Sequence, residues 1–168
     1  MAAAQDRNQR RNAVDAPPET TTGESKRDAV LFLCVANSAR SQMAEGLARR
    51  LAPAPVGIYS AGSEPGELNP LAVEVMAEVG IDISEHQSKA TDDIPLERVA
   101  RVVTLCNDEV CPVVPGEVQV LHWPLRDPAG VTGSDRERLE AFRATRNAIE
   151  ARLKGVFVEW SDDPAALD

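Results

Sequence analysis

AVLFLCVANSARSQMAEGLARRLA, residues 29–52, is the stretch that decides the fold. It opens with a six-residue apolar run ending in Cys34, the length of a strand buried on both faces. Met43, Leu47 and Leu51 then recur at helical spacing, so a helix follows within a few residues. A strand that passes through a short polar turn into a helix is the opening move of an α/β domain.

The same alternation continues outward. VGIYSAG, residues 56–62, reads as a second strand. NPLAVEVMAEVG, residues 69–80, reads as a helix with an Asn cap, Pro at its first position and Gly at its end. RVVTLC (101–106) and VQVLHW (118–123) read as third and fourth strands. A long final helix begins near Ser134, with Leu139, Phe142, Ile149 and Leu153 as its apolar stripe. The expected fold is a single α/β domain: three αβα layers around a four-stranded parallel sheet covered on both faces.

The chain has 168 residues, enough for one domain with a proper core. Its net charge of −9 argues against nucleic acid or an anionic membrane surface as a partner. No apolar run reaches membrane-spanning length, and the first residues lack the apolar core of a secretory signal. Three cysteines, an odd number, fit a reducing cytoplasm better than a disulfide framework. Residues 1–28 hold almost no large apolar side chain and read as a disordered tail. The domain is expected over 29–160, with 161–168 a loose acidic tail. A cytoplasmic monomer is expected.

Cys34 falls at the carboxyl end of the first strand, where open α/β sheets bind ligands. The turn Val35, Ala36, Asn37, Ser38, Ala39, Arg40, Ser41 leads into the helix N-terminus. Its backbone N–H groups form a cradle for an oxyanion. Arg40 adds a planar fork that grips an oxyanion with two hydrogen bonds. The same positive field favours the Cys34 thiolate, and Ser41 is placed to donate its hydroxyl to it. The plain alternative is an inert buried cysteine and a surface arginine. The Gly-rich run and Gly-Lys-Ser/Thr ending of a nucleotide loop are missing.

Asp127-Pro128 follows the fourth strand, so its carboxyl is a candidate acid for a departing oxygen. Alone, Asp-Pro is more often just a turn. Cys106 ends the third strand and Cys111 follows in CNDEVCP. Cys106 nears Cys34 if strands one and three are neighbours; the plain reading of Cys106 and Cys111 is two ordinary core cysteines. Zinc does not suit this spacing, and His86 and His122 read as structural. No metal site and no tightly bound cofactor is expected.

CVANSARSQMAEG, YSAG, NP, IDIS, VVTLC, CP, HW and DPAG, in this order, resemble the thioredoxin-coupled arsenate reductases, which share the low-molecular-weight tyrosine phosphatase fold. The resemblance covers about residues 29–154. It implies arsenate as substrate and thioredoxin as external reductant. It implies that Cys34 attacks arsenate held by the loop and Arg40 while Asp127 protonates the oxygen that leaves. Cys106 then attacks Cys34, and Cys111 attacks Cys106 and carries the disulfide outward. Ala36 stands where that family usually has Gly, and Ala39 where a further Cys often sits. The interval from Cys106 to Cys111 is shorter than in many members. Some relatives hold potassium with Asn, Glu, Ser and Asp. Asn37, Glu45 and Ser60 match these, and Lys89 takes the place of the Asp.

Two other functions fit parts of this pattern. A phosphatase of the same fold would use the same cradle, but would have no use for Cys106 and Cys111. It would also tend to carry aromatics after Asp-Pro, where Ala129-Gly130 stand. A non-catalytic redox or oxyanion sensor would have no use for Asp127.

Overall fold

The apolar run becomes β1, Ala29–Cys34, and all six of its residues are buried. That is how a central strand packed on both faces looks. The computed structural model describes residues 27–107 and 116–161. In it, β1 lies inside a four-stranded sheet with β2 (Gly57–Gly62), β3 (Val99–Thr104) and β4 (Gln119–His122). The order is β2-β1-β3-β4, and every pairing is parallel. Strands one and three are therefore neighbours, as a site shared by Cys34 and Cys106 requires.

Alternation along β1 divides the interior in two. Val30, Phe32 and Cys34 join the larger core with α1 (Arg40–Leu51), α2 (Pro70–Ala77) and α3 (Asp135–Ser161). Met43, Ala44, Leu47 and Ala48 enter it from α1; Phe142, Ile149 and Leu153 enter it from α3. Leu31 and Leu33 face the other side with Ala61, Ile94, Val99 and Val102. Among the described residues, this second face is covered by 3-10 turns at Thr91–Asp93 and Leu96–Arg98 rather than by α-helices.

Local signals act as expected in α2. Asn69 Oδ1 accepts from Leu71 N at 2.9 Å, Pro70 opens the helix, and Gly80 leaves it at φ 77°. In α3 the apolar stripe is interrupted by Arg146, which is buried. Its guanidinium donates to the Val75 carbonyl at 2.7 Å and to Glu78 at 2.9 Å, fastening α3 to the end of α2. Arg143 bonds the same carboxylate and, with Arg146, holds it below the usual range.

Several boundaries differ from expectation, and three bear on the site and the domain limits. β3 stops at Thr104, so Cys106 lies two residues past the strand instead of ending it. Leu105 still donates to Leu33 O at 2.9 Å, which prolongs the apolar run after the ladder has ended. α3 runs to Ser161, one residue past the expected end of the domain. Asp28 is already tied in: its N–H bonds Arg98 O at 2.9 Å, and its carboxylate pairs with the Arg98 guanidinium.

Candidate active site

Cys34 ends β1, and the chain then turns through residues 35–39 into α1. The turn is fixed from outside by its carbonyls. Val35 O accepts from Glu64 N, Ala36 O from Gly66 N and Ser38 O from Asn69 N, each at 2.9 Å. Asn37 O accepts from Ser88 Oγ at 2.6 Å and from Gln42 Nε2 at 3.1 Å. In a trans peptide the C=O and the next N–H point opposite ways. With these carbonyls turned outward, the N–H groups of residues 36–39 turn inward. Ala39 offers no side-chain cap to α1, so the first-turn N–H groups also stay open to the crevice.

Gly62 is part of the same construction. A Cβ there would stand 2.3 Å from Val35 O and 2.8 Å from Asn37 N, closer than atoms pack. The glycine at the end of YSAG is thus a spacing requirement of the loop.

The side chains converge on the sulfur. Cys34 is buried, and its Sγ lies 2.7 Å from Ser41 Oγ. Asn37 has φ 47°, the only positive φ outside glycine among the described residues. Asn tolerates this region better than most residues. Its Nδ2 donates to Ser41 Oγ at 2.8 Å and to Ser60 Oγ at 2.9 Å. Ser60 passes its hydroxyl to the buried Glu45 carboxylate, which also pairs with Arg49 and with Lys89 Nζ at 3.3 Å. Lys89 N–H completes the ring by donating to Asn37 Oδ1 at 2.8 Å.

Arg40 is buried, and its Nη1 donates to the carbonyls of Leu125 at 2.9 Å and Leu105 at 3.3 Å. One carbonyl follows β4 and the other follows β3, so the guanidinium is clamped between the two loops that flank the crevice. Its Nη2 lies 3.9 Å from Asp127 Oδ2. Asp127 Oδ1 accepts from Ala129 N at 3.0 Å and starts the 3-10 turn Pro128–Gly130. The turn and the candidate acid are therefore one feature: one oxygen caps the turn while the other faces Arg40.

Cys106 is also a buried thiol and belongs to the same apolar cluster as Cys34. Its Sγ lies 4.0 Å from the carbonyl of Leu33, the residue before Cys34. Cys111 lies outside the described residues. Among the described residues, no group of three or more His, Cys, Asp or Glu is arranged to hold a metal ion.

The low molecular weight phosphotyrosine protein phosphatase family model matches residues 29–165. The chain belongs to this family. An arsenate reductase of Bacillus subtilis is 45% identical over 127 residues, spanning 74% of this chain and 91% of the relative. A solved arsenate reductase in the phosphate binding state is 34% identical with a TM-score of 0.67, covering 79% of this chain and 98% of that one. A thioredoxin-dependent arsenate reductase of Corynebacterium glutamicum is 34% identical with a TM-score of 0.59, covering 80% and 64%. Within its family the chain groups with the arsenate reductases.

As a member of this family, the protein brings Cys34, Asn37, Arg40, Ser41, Asp127 and Cys106 to the carboxyl ends of β1, β3 and β4. Lys89 stands against Glu45, in the place that the resemblance gave it. His122 bonds Thr104 at 2.6 Å. His86 has a more particular contact: its Nδ1 meets Gln42 Oε1 at 2.9 Å. Burial, above all, pushes His86 below the ordinary imidazole range; Arg49 and Lys89 add to this, while Glu45 and Asp82 oppose it. Gln42 and Ser88 carry no motif signal, and the sequence reading missed both.

Proposed function

We propose that this chain reduces arsenate to arsenite, with Cys34 as nucleophile and thioredoxin as external reductant, and that it acts as a monomer in the cytoplasm. The supporting observation is the pair of buried thiols, Cys34 at the end of β1 and Cys106 two residues past the neighbouring β3, beneath an anion cradle. Arsenate enters the cradle of residues 35–41 with two of its oxygens on Arg40. The Cys34 thiolate attacks arsenic, and Asp127 gives its proton to the oxygen that leaves as water. Arsenic(V) is then bonded to sulfur. The Cys106 thiolate attacks Cys34 Sγ, and the electrons of the S–As bond pass to arsenic, which departs as arsenite. Cys111 attacks Cys106, frees Cys34, and carries the disulfide to thioredoxin. A phosphatase would need only the cradle and the acid, and would leave Cys106 without a role.

The deciding assay couples arsenate to thioredoxin, thioredoxin reductase and NADPH. One arsenite per NADPH is expected. Hydrolysis of an aryl phosphate with no arsenite formed would favour the phosphatase. In this assay Asp127→Asn is expected to lower the rate of the first chemical step by roughly 10²–10⁴-fold, the usual scale for a general acid. A change in arsenate affinity alone would remove the acid role.

Lys89 supports a second prediction. Its ammonium already occupies the Glu45 carboxylate at 3.3 Å, where a bound cation would compete with it. Turnover and melting temperature are therefore expected to be the same in potassium and in sodium at equal ionic strength. A potassium-specific stabilisation would contradict this.

A further inference from the structure

Gln42 is fully buried on α1, yet its side chain is polar at both ends. Its Nε2 faces three oxygens: Asn37 Oδ1 at 3.0 Å, Asn37 O at 3.1 Å and Gln87 O at 3.1 Å. Oxygens accept, so the nitrogen of the amide must be on this side. Its Oε1 then faces His86 Nδ1, which must carry a hydrogen. The same logic fixes Asn37. Lys89 N–H is a backbone donor and cannot exchange roles, so Oδ1 must face it and Nδ2 must face the two serines. Ser41 Oγ accepts from Asn37, which leaves its single hydrogen for Cys34 Sγ. Every bond in the row thus points one way: His86 to Gln42, Gln42 to Asn37, Asn37 to Ser41, Ser41 to sulfur.

We infer that Gln42 is a positioning residue for the Cys34 nucleophile: it fixes the amide orientation of Asn37, and through it makes Ser41 a donor to the sulfur. The inference rests on the reading of Cys34 as the attacking thiolate. With Gln42 gone, Asn37 Oδ1 keeps only one of its two donors, Lys89 N–H, and the Ser60 oxygen, whose hydrogen is committed to Glu45, is the other group that still orders the amide. When that amide turns over, its Oδ1 competes with sulfur for the Ser41 hydrogen. The thiolate then loses a charge-assisted hydrogen bond, the stronger class of such bonds. His86 lies at the outer end of the row, where it presents its donor to Gln42.

The test is pH-dependent alkylation of the full-length protein by iodoacetamide, each cysteine followed by mass spectrometry, alongside arsenite turnover and melting temperature. For Gln42→Met, Cys34 is expected to alkylate about tenfold more slowly near neutral pH, since thiolate fraction controls the rate. Its profile should move to higher pH, kcat should fall in parallel, and KM and the Cys106 profile should stay. A merely structural role would disturb both cysteines together. His86→Leu should move the Cys34 profile in the same direction. His86→Asn should restore it, because the Asn amide nitrogen stands where Nδ1 stood. If Gln42→Met does not fold, this second pair decides. An unchanged Cys34 profile in Gln42→Met, or equal impairment in His86→Leu and His86→Asn, overturns the inference. Arsenite formation by Cys34→Ser would instead overturn the nucleophile assignment beneath it.

Discussion

Replacing Cys34 by serine is expected to reduce arsenite formation to the background of the assay, a loss on the order of 10⁴-fold or more. The side chain is buried at the end of β1, with Ser41 Oγ 2.7 Å from its sulfur. A serine hydroxyl occupies nearly the same space and keeps a partner there. The fold, the outward carbonyl contacts of the loop and the clamp on Arg40 should therefore persist. What disappears is the nucleophile, because a hydroxyl at neutral pH is far less ionised than a thiol. The reduction fails for a second reason: a serine–arsenate ester offers Cys106 no sulfur to attack. Thermal shift with arsenate separates the two possible meanings of a dead variant. Cys34→Ser should still be stabilised by arsenate while producing no arsenite. Substantial turnover by this variant would mean that another cysteine begins the reaction.

The sequence revealed most where one residue type has one physical use. β1 was legible because a six-residue apolar run fits a central strand. α2 was legible because Asn69, Pro70 and Gly80 each do what their backbones favour. Cys34 ends β1, and Arg40 and Asp127 lie on the segments that follow β1 and β4, the side on which α/β sheets bind ligands, so all three were legible as candidates. Burial without a ladder misled the reading of β3. Leu105 and Cys106 are as apolar as the residues before them, but β4 is paired only as far as His122 opposite Thr104. Arg146 escaped because it stands within an apolar stripe, and only the Val75 carbonyl and Glu78 make its burial tolerable. Gln42 and Glu45 lie on the polar side of α1 as a periodicity sees it. They are buried because residues 86–89, some forty positions away, fold over them. Local pattern carries no trace of that contact, so the network that orders Asn37 could emerge only from the fold.

Arg40→Lys is expected to be nearly as damaging as the loss of Cys34. Arg40 performs two tasks at once. Its Nη1 bonds the carbonyls of Leu105 and Leu125, which belong to different loops. Its remaining donors are left for the anion, with Nη2 also 3.9 Å from Asp127. A lysine ammonium is a single point with rotating hydrogens, not a planar fork. It can stay with the carbonyls or turn to the anion, but it cannot span both. Losing one preorganised donor to a developing charge costs about 10²–10³-fold in kcat. Two donors of the fork are lost together, so a fall of roughly 10⁴-fold in kcat/KM is expected. Charge is conserved in the exchange, so a general loss of positive field cannot explain such a fall. Loosening of the clamp should also lower the melting temperature, since a hydrogen bond to a charged group contributes about 1.5–3 kcal/mol. The contrast with Cys34→Ser is diagnostic: Arg40→Lys should lose stabilisation by arsenate and by phosphate alike, whereas Cys34→Ser should keep both. If Arg40→Lys retains kcat/KM within about tenfold of the parent, the loss of donors is far smaller than this geometry demands. The oxyanion would then be held by the backbone of residues 36–39 and the start of α1, with Arg40 serving only to join the loops.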